Sequence, residues 1–500
     1  MSRKIGVILT YIQMIFNVLS TLLLTPFIIS TLGQAEYGVF KLSAAITAYL
    51  LLLDLGVGNA VIRYISKYRA ENDFIKQRQF LGVASIFYFI ISIITLIIGY
   101  VLIQSFPVMF AKGLNTSEVV LGQKLLVFTI LNCAFTLLTT CYDYIIIAYE
   151  KFKVSRVCSI ASIIIRMLFT YIVLKLGFGS VGIVVVNLAV TILSRIYLMG
   201  YVFIKIKLFP LFKNIEFDFI KEIVMYSSLI LIQMIATQIN ANVDQILLGS
   251  FVVSSAVIIG VYGIGTQIVQ YFQQIGSAFT SVLMPGIVKM VENGVNSLQL
   301  TNEMIRIGRL IFMVLSIIWG CFLINGENFI ILWAGKANAE AYYVAIILMF
   351  AYTFILTESI GTQILWALNQ HKEQSYLKMA IVLVNIVLTI LLIQWNPLIG
   401  ATIGTFISLM AGDIGVMNYI FKKKLRINLL DYYKNLFKGI IPSLVIAVAA
   451  GYLCKMCFSF TWFGFIIKVL IMCMIYAICM FMFGMTKYEK QLLLSFLKKF

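Results

Sequence analysis

The stretch Tyr226–Gly249, YSSLILIQMIATQINANVDQILLG, constrains the fold more than any other part of the chain. It is long and apolar enough to cross a bilayer, which takes about 20 residues of helix. Yet Gln233, Thr237, Asn240 and Asp244 recur along it at intervals of four, three and four residues. At about 100° per residue these side chains fall within roughly 60° of one another on a helix. A polar group in hydrocarbon costs several kcal/mol unless something pairs with it. The stripe therefore demands either partner side chains in a buried seam or a solvated internal chamber; both readings stand, and the chamber is the sharper expectation. Gln238, Asn242 and Gln245 sit on another side, so little of this helix's outer half is free to face lipid.

The remainder of the chain has the same character. Of its 500 residues 62% are hydrophobic and 12% charged, with a mean hydropathy of +1.01; soluble domains carry about 25% charged residues. This is an all-α polytopic membrane protein, and no loop is long enough to house a catalytic domain. Apolar spans begin near Ile5, Gly38, Phe80, Val119, Val154, Ser180, Ile223, Ala256, Ile305, Ala341, Ser375, Leu398, Leu436 and Thr461, which makes 14 expected transmembrane helices. Arg3 and Lys4 precede the first apolar run, which continues to about Ser30 without a small-x-small site, so it is expected to be a retained helix and not a cleaved signal.

Loop charge tests this count. With the N-terminus in the cytoplasm, inside segments hold 29 of the 38 Lys and Arg and outside segments hold 7. Positive charge collects in cytoplasmic loops, and a missed helix would reverse the bias partway along, which never happens. Both termini are thus expected in the cytoplasm, and the net charge of +18 reports on topology, with no nucleic-acid partner implied. The two remaining cations, Arg166 and Arg195, fall inside apolar spans, as do Asp54, Asp143, Asp244, Glu358 and Asp413. Ionisable groups at such depth face a cavity or one another. The eight cysteines lie in or beside apolar segments and read as small packing residues; the lone Cys454-x-x-Cys457 pair makes no metal site. His371, the single histidine, sits in a polar loop.

A weak internal repeat is visible. Gln13, Asn17, Ser20 and Thr21 give the first helix a stripe like that of the seventh. Tyr37-Gly38-Val39-Phe40 follows Asn17 much as Gly260-Val261-Tyr262-Gly263 follows Asn240, and Asp54-Leu55-Gly56 matches Gln274-Ile275-Gly276. An offset of six helices keeps orientation, so the halves would be parallel copies.

Leu32-Gly33-Gln34-Ala35-Glu36-Tyr37-Gly38, an apolar helix, and then Asp54-Leu55-Gly56-Val57-Gly58-Asn59-Ala60-Val61-Ile62-Arg63-Tyr64 resemble the opening signature of bacterial polysaccharide flippases. These are the oligosaccharide-lipid exporters of the multidrug/oligosaccharidyl-lipid/polysaccharide superfamily. The resemblance implies two six-helix bundles, 1–222 and 223–434, forming a V around a central cationic cavity, with two additional helices in 435–500. It also implies a monomer in the bacterial inner membrane, in contact with membrane lipids. By alternating access it would move an undecaprenyl-diphosphate-linked oligosaccharide, such as an O-antigen repeat unit, to the outer leaflet, alongside glycosyltransferases and a glycan polymerase.

Such a cargo assigns expected roles. A diphosphate calls for Arg, whose planar fork suits phosphate oxygens; Arg166 and Arg195 are the intramembrane candidates, unless a carboxylate such as Asp143 neutralises them. The sugar calls for amides and hydroxyls, which Gln13, Asn17, Gln233, Thr237, Asn240 and Asp244 supply, with Gln267, Gln270, Tyr271 and Gln274 on the eighth helix. Ion coupling would run through Asp54, Asp244, Glu358 or Asp413. The only Gly-Lys pair, Gly335-Lys336, lacks the rest of a nucleotide-binding loop, so no ATP, metal or other cofactor is expected and the chain does not read as an enzyme. Two alternatives compete: a cation-coupled multidrug antiporter of the same superfamily, and a membrane glycan polymerase or ligase, which the short outer loops disfavour.

Overall fold

Lipid offers no hydrogen-bond partners, so a chain this apolar must satisfy its backbone within each segment. The computed structural model accordingly shows helices, turns and no strand among the described residues. It describes the backbone of residues 2–212, 217–292, 296–368, 372–457 and 459–497. In chain order the helices are α1 (Ser2–Leu50), α2 (Val57–Ala70), α3 (Phe74–Met109), α4 (Thr116–Ala148), α5 (Phe152–Lys175), α6 (Gly179–Tyr201), α7 (Phe217–Phe251), α8 (Ala256–Glu292), α9 (Ser297–Ala334), α10 (Ala341–Thr357), α11 (Ser359–Ala367), α12 (Lys372–Leu392), α13 (Pro397–Ser408), α14 (Met417–Ile420), α15 (Leu429–Phe437), α16 (Ile440–Cys457), α17 (Trp462–Cys479) and α18 (Lys487–Leu497). A wide π-helical stretch, Leu409–Val416, joins α13 to α14.

Among the described residues, 10 helical segments are long and apolar enough to cross a membrane, or up to 11 if α10 and α11, bent by 40° at their junction, form one span. The sequence expectation was 14 segments, and the difference has identifiable sources. The segments starting at Ile5 and Gly38 run together in α1, whose 49 residues would rise about 74 Å as one straight helix, far more than a bilayer core of about 30 Å. The run is broken at Gly33, where φ is +74° and ψ 171°, a conformation open to glycine alone. The segments starting at Ile223 and Ala256 lie on α7 and α8, where many side chains fall outside the described residues.

The packing pattern is inverted relative to a soluble bundle. On α3, Ser92 and Thr95 are buried while Ile93, Ile97 and Tyr100 are exposed. The Ser92 hydroxyl donates to Ala134 O at 3.0 Å, tying α3 to α4. Beneath this seam lies a core of Val57, Val61, Ile65, Phe80, Tyr88, Cys141 and Ile145.

The chain divides by packing into two compact units, Met1–Gly260 and Val261–Phe500. In the first, α4 packs on α1, α2, α3 and α6, and α7 packs on α1 and α2. The packing boundary therefore falls after the first turn of α8. The reason is a close approach of backbones: a Cβ on Gly38 would lie 1.7 Å from Ala256 O, and one on Gly260 would lie 2.9 Å from Gln34 O. A glycine from each of the two segments compared in the sequence repeat thus lies against the other's helix. In the second unit α9 packs on α10, α15, α16 and α17, and α12 packs on α13. Arg309 on α9, buried, holds Glu489 of α18 at 2.7 Å.

Candidate functional site

Four helices of the first unit converge on one hollow. Each presents a stripe at helical spacing: Thr10, Gln13, Met14 and Asn17 from α1; Thr136 and Asp143 from α4; Arg156, Ser159, Ile163 and Arg166 from α5; Thr191, Ser194, Arg195 and Leu198 from α6. Intervals of three, four and seven keep such residues on one helix face. Cys158 and Ser162 complete the lining of a cavity of about 450 Å³.

Its charge is unbalanced. Three guanidinium groups, Arg156, Arg166 and Arg195, line it against one carboxylate, Asp143. Arg195 is paired with Asp143. Arg156 donates from Nη1 to Gln13 Oε1 at 3.0 Å, bridging α5 to α1. Arg166 is exposed, and no carboxylate among the described residues pairs with it.

Four of the six hydroxyls on this lining have already spent their protons. Thr10 donates to Gly6 O at 2.9 Å, Ser159 to Ser155 O at 2.9 Å, Ser162 to Cys158 O at 2.8 Å and Ser194 to Thr191 O at 2.9 Å. They therefore offer lone pairs to the hollow, which suits hydroxyl donors of a sugar and not an anion. Donors for an anion are left to the guanidinium groups, the side-chain amides of Gln13 and Asn17, and the hydroxyls of Thr136 and Thr191.

The expected site residues separate into groups. Gln13, Asn17, Arg166 and Arg195 are brought together on this cavity. Arg195 carries the neutralising partner that the sequence allowed for, Asp143. Thr237, Asn240 and Asp244 lie on α7 and do not line it; Thr237 is exposed and Asp244 buried. The side chain of Gln233 lies outside the described residues. On α8, within the second unit, Gln267 donates to Tyr271 Oη at 2.7 Å, Gln270 is exposed and Gln274 is half-buried. Arg156, which hydropathy assigns to a cytoplasmic segment, is on the cavity wall; its spacing of ten residues from Arg166, through Ser159 and Ile163, was the available signal.

The four carboxylates considered for ion coupling have protein partners. Asp54 accepts from Tyr88 Oη at 2.7 Å and Tyr144 Oη at 3.5 Å. Glu358, at the α10–α11 junction, accepts from Tyr433 Oη and from Asn418 Nδ2, the latter at 3.2 Å. Asp413 pairs with Lys378, and Asp244 also engages other groups.

Membrane helices that keep charge at depth around open space do so where polar solutes pass, and by class this is a membrane transporter. Comparison with known proteins narrows the class. The profile of the family described as polysaccharide biosynthesis protein matches residues 3–291, more than half of the chain, and the protein belongs to that family. Its fold is similar to that of a lipid II flippase, MurJ, in an inward closed conformation: the TM-score is 0.74 at 17% identity, covering 95% of this chain and 97% of that one. An inward-facing multidrug-resistance MATE-family transporter of the MOP superfamily matches with a TM-score of 0.60 at 13% identity, over 81% of this chain and 96% of that one. Its outward-facing counterpart matches at 0.58 and 14%, over 84% and 96%. No curated protein sequence matches the chain. The fold is thus one shared with a flippase and with multidrug transporters.

Proposed function

We propose that the protein is a flippase that carries an undecaprenyl-diphosphate-linked oligosaccharide from the inner to the outer leaflet of a bacterial plasma membrane. In this reading it works by alternating access, as a monomer with both termini in the cytoplasm. Its two six-helix halves are 1–222 and 223–434, with 435–500 supplying two additional helices. Glycosyltransferases would make its cargo and a polymerase would use it.

The observation that carries this reading is the excess of guanidinium over carboxylate on the first-unit cavity, three against one. A cationic drug would be repelled there, whereas a diphosphate finds planar donors with few competing acceptors. The hydroxyl lone pairs beside them suit sugar hydroxyls. A family of polysaccharide biosynthesis and a fold shared with a lipid II flippase support the same cargo class.

The test is Arg166→Ala in a producing cell. Because no carboxylate among the described residues depends on Arg166, this change removes an anion contact without stranding a partner. Loss of surface glycan, with lipid-linked precursor accumulating inside, is the expected result. Normal surface glycan at normal expression would sink the assignment, and efflux of cationic dyes by the reconstituted protein would favour the antiporter.

A further inference from the structure

We propose that Asp143 is a tethered stand-in for the cargo's phosphate: it occupies Arg195 while the cavity is empty and is displaced when a multiply charged anion binds. This rests on the reading of the cavity as an anion site.

The pair is poorly satisfied on both sides. Asp143 meets Arg195 through Oδ2 on a single nitrogen, Nη1, whereas a carboxylate on a guanidinium can engage two parallel N–H donors. Its other oxygen, Oδ1, is buried with no hydrogen-bond partner. A carboxylate with an orphaned oxygen is held less firmly than a fully bonded one, since each buried acceptor left without a donor is costly. Arg195 has its remaining N–H groups to offer toward the cavity. The charged and titratable groups that share the cavity wall with Asp143 are Arg156, Cys158 and Arg166 from α5 and Arg195 from α6, and Tyr144 lies beside it on α4; the residues contributed by α1 carry no charge.

The arrangement selects by charge number. A monoanion that displaces Asp143 trades one negative charge for another at Arg195 and gains nothing further. An anion with two or more charges replaces Asp143 and also engages Arg156 or Arg166, so only it profits. Asp143 is thus a specificity-determining residue that keeps single anions off Arg195 and prevents the hollow from holding its cargo too tightly for release.

The experiment titrates the purified full-length protein with inorganic pyrophosphate and with dimethyl phosphate, a monoanion, by calorimetry. Asp143→Asn is expected to tighten pyrophosphate binding roughly tenfold or more, the scale of one charge-assisted hydrogen bond, and to admit dimethyl phosphate. Asp143→Glu should behave as the unaltered protein, and Asp143→Ser serves as a second neutral variant. In an Arg195→Gln background Asp143→Asn should have no effect on either ligand. Unchanged pyrophosphate affinity in both neutral variants overturns the proposal. So does equal tightening with and without Arg195, which would be a general charge effect. If the unaltered protein binds no pyrophosphate, or binds it indifferently to Arg166→Gln, the anion-site reading itself fails and this inference with it.

Discussion

Replacing Arg309 by Met removes a guanidinium that is 3% exposed and that ties α9 to the last helices of the chain. Its Nε donates to Glu489 Oε1 at 2.7 Å and its Nη2 to Glu489 Oε2 at 3.2 Å. Nη2 also donates to Gly484 O at 2.8 Å, and Nη1 to Asn435 O at 2.5 Å and Lys438 O at 2.9 Å. These carbonyls close α15 and the π-helical end of α17, so one side chain pins both connections of the two C-terminal spans. Breaking a buried pair by removing one partner costs about 3–5 kcal/mol. Gly484 O is left without this donor as well, at about 1–3 kcal/mol if nothing replaces it; Asn435 and Lys438, being less buried, recover water.

Glu489→Gln is milder. The amide oxygen still accepts from Nε and every carbonyl keeps its donor, while Thr486 N and Nη2 lose the acceptor Oε2, so the loss is at or just below the bottom of the range for a broken buried pair, about 2–3 kcal/mol. With about 2–4 °C per kcal/mol for a unit of this size, Arg309→Met should lower the thermal midpoint by roughly 10 °C or more and Glu489→Gln by roughly 5 °C. The assay is scanning fluorimetry of purified protein in detergent at one fixed scan rate, because such unfolding is irreversible. An Arg309→Met midpoint within about 2 °C of the parent would refute the clamp. A Glu489→Gln variant as damaged as Arg309→Met would show that the carbonyl contacts contribute nothing.

Three further outcomes are expected. Gly38→Ala should abolish monodisperse protein on size exclusion, since its Cβ would meet Ala256 O at 1.7 Å, whereas Gly200→Ala, with nothing within 4 Å, should be neutral; equal behaviour of the two refutes the close approach of α1 to α8. Tyr88→Phe removes the 2.7 Å hydrogen bond to Asp54 and should cost about 1.5–3 kcal/mol if Asp54 is ionised, read as a lower melting midpoint; no shift would mean that the carboxylate carries no charge to stabilise. Collapse of proton and sodium gradients with ionophores should halt flipping in reconstituted vesicles if Asp54, Asp244, Glu358 or Asp413 couples transport to ions, and unchanged rates remove all four from that role.

What the sequence made legible follows from which interactions are local. Apolar length and the positive-inside bias depend on the chain alone, so every expected span begins on or beside a helix. The two arginines at bilayer depth were visible for the same reason, as was Asp143 as a partner for one of them. Arg156 was not: hydropathy places it at the edge of a span, and only its register with Ser159, Ile163 and Arg166 turns it toward the hollow. Arg309 was hidden in the same way, because an arginine near a helix end looks alike whether it snorkels to water or, as here, reaches Glu489 far along the chain. The polar stripe of α7 does not line the first-unit cavity, since amphipathicity says that a face needs partners without saying which.

The repeat carries one more step. The matched segments of the repeat are offset by 220 to 223 residues, and within that span an offset of 222 sets Lys378 opposite Arg156 and Asp413 opposite Thr191. In the first unit Arg156 faces the hollow and the residue at the second position is a neutral threonine, so the cation remains free of a carboxylate. At the matched positions of the second unit a lysine and an aspartate pair with each other, and Asp413 is buried in doing so. One substitution of threonine by aspartate therefore separates a cationic wall from a self-neutralised one. Thr191→Asp should transplant that neutralisation into the first unit: the new carboxylate would compete with pyrophosphate for Arg156 much as Asp143 does for Arg195. Weaker pyrophosphate binding that returns when Arg156 is also replaced by Gln, relative to Arg156→Gln alone, would bear this out. A variant that binds as tightly as the parent would show that Arg156 takes no part in holding the anion.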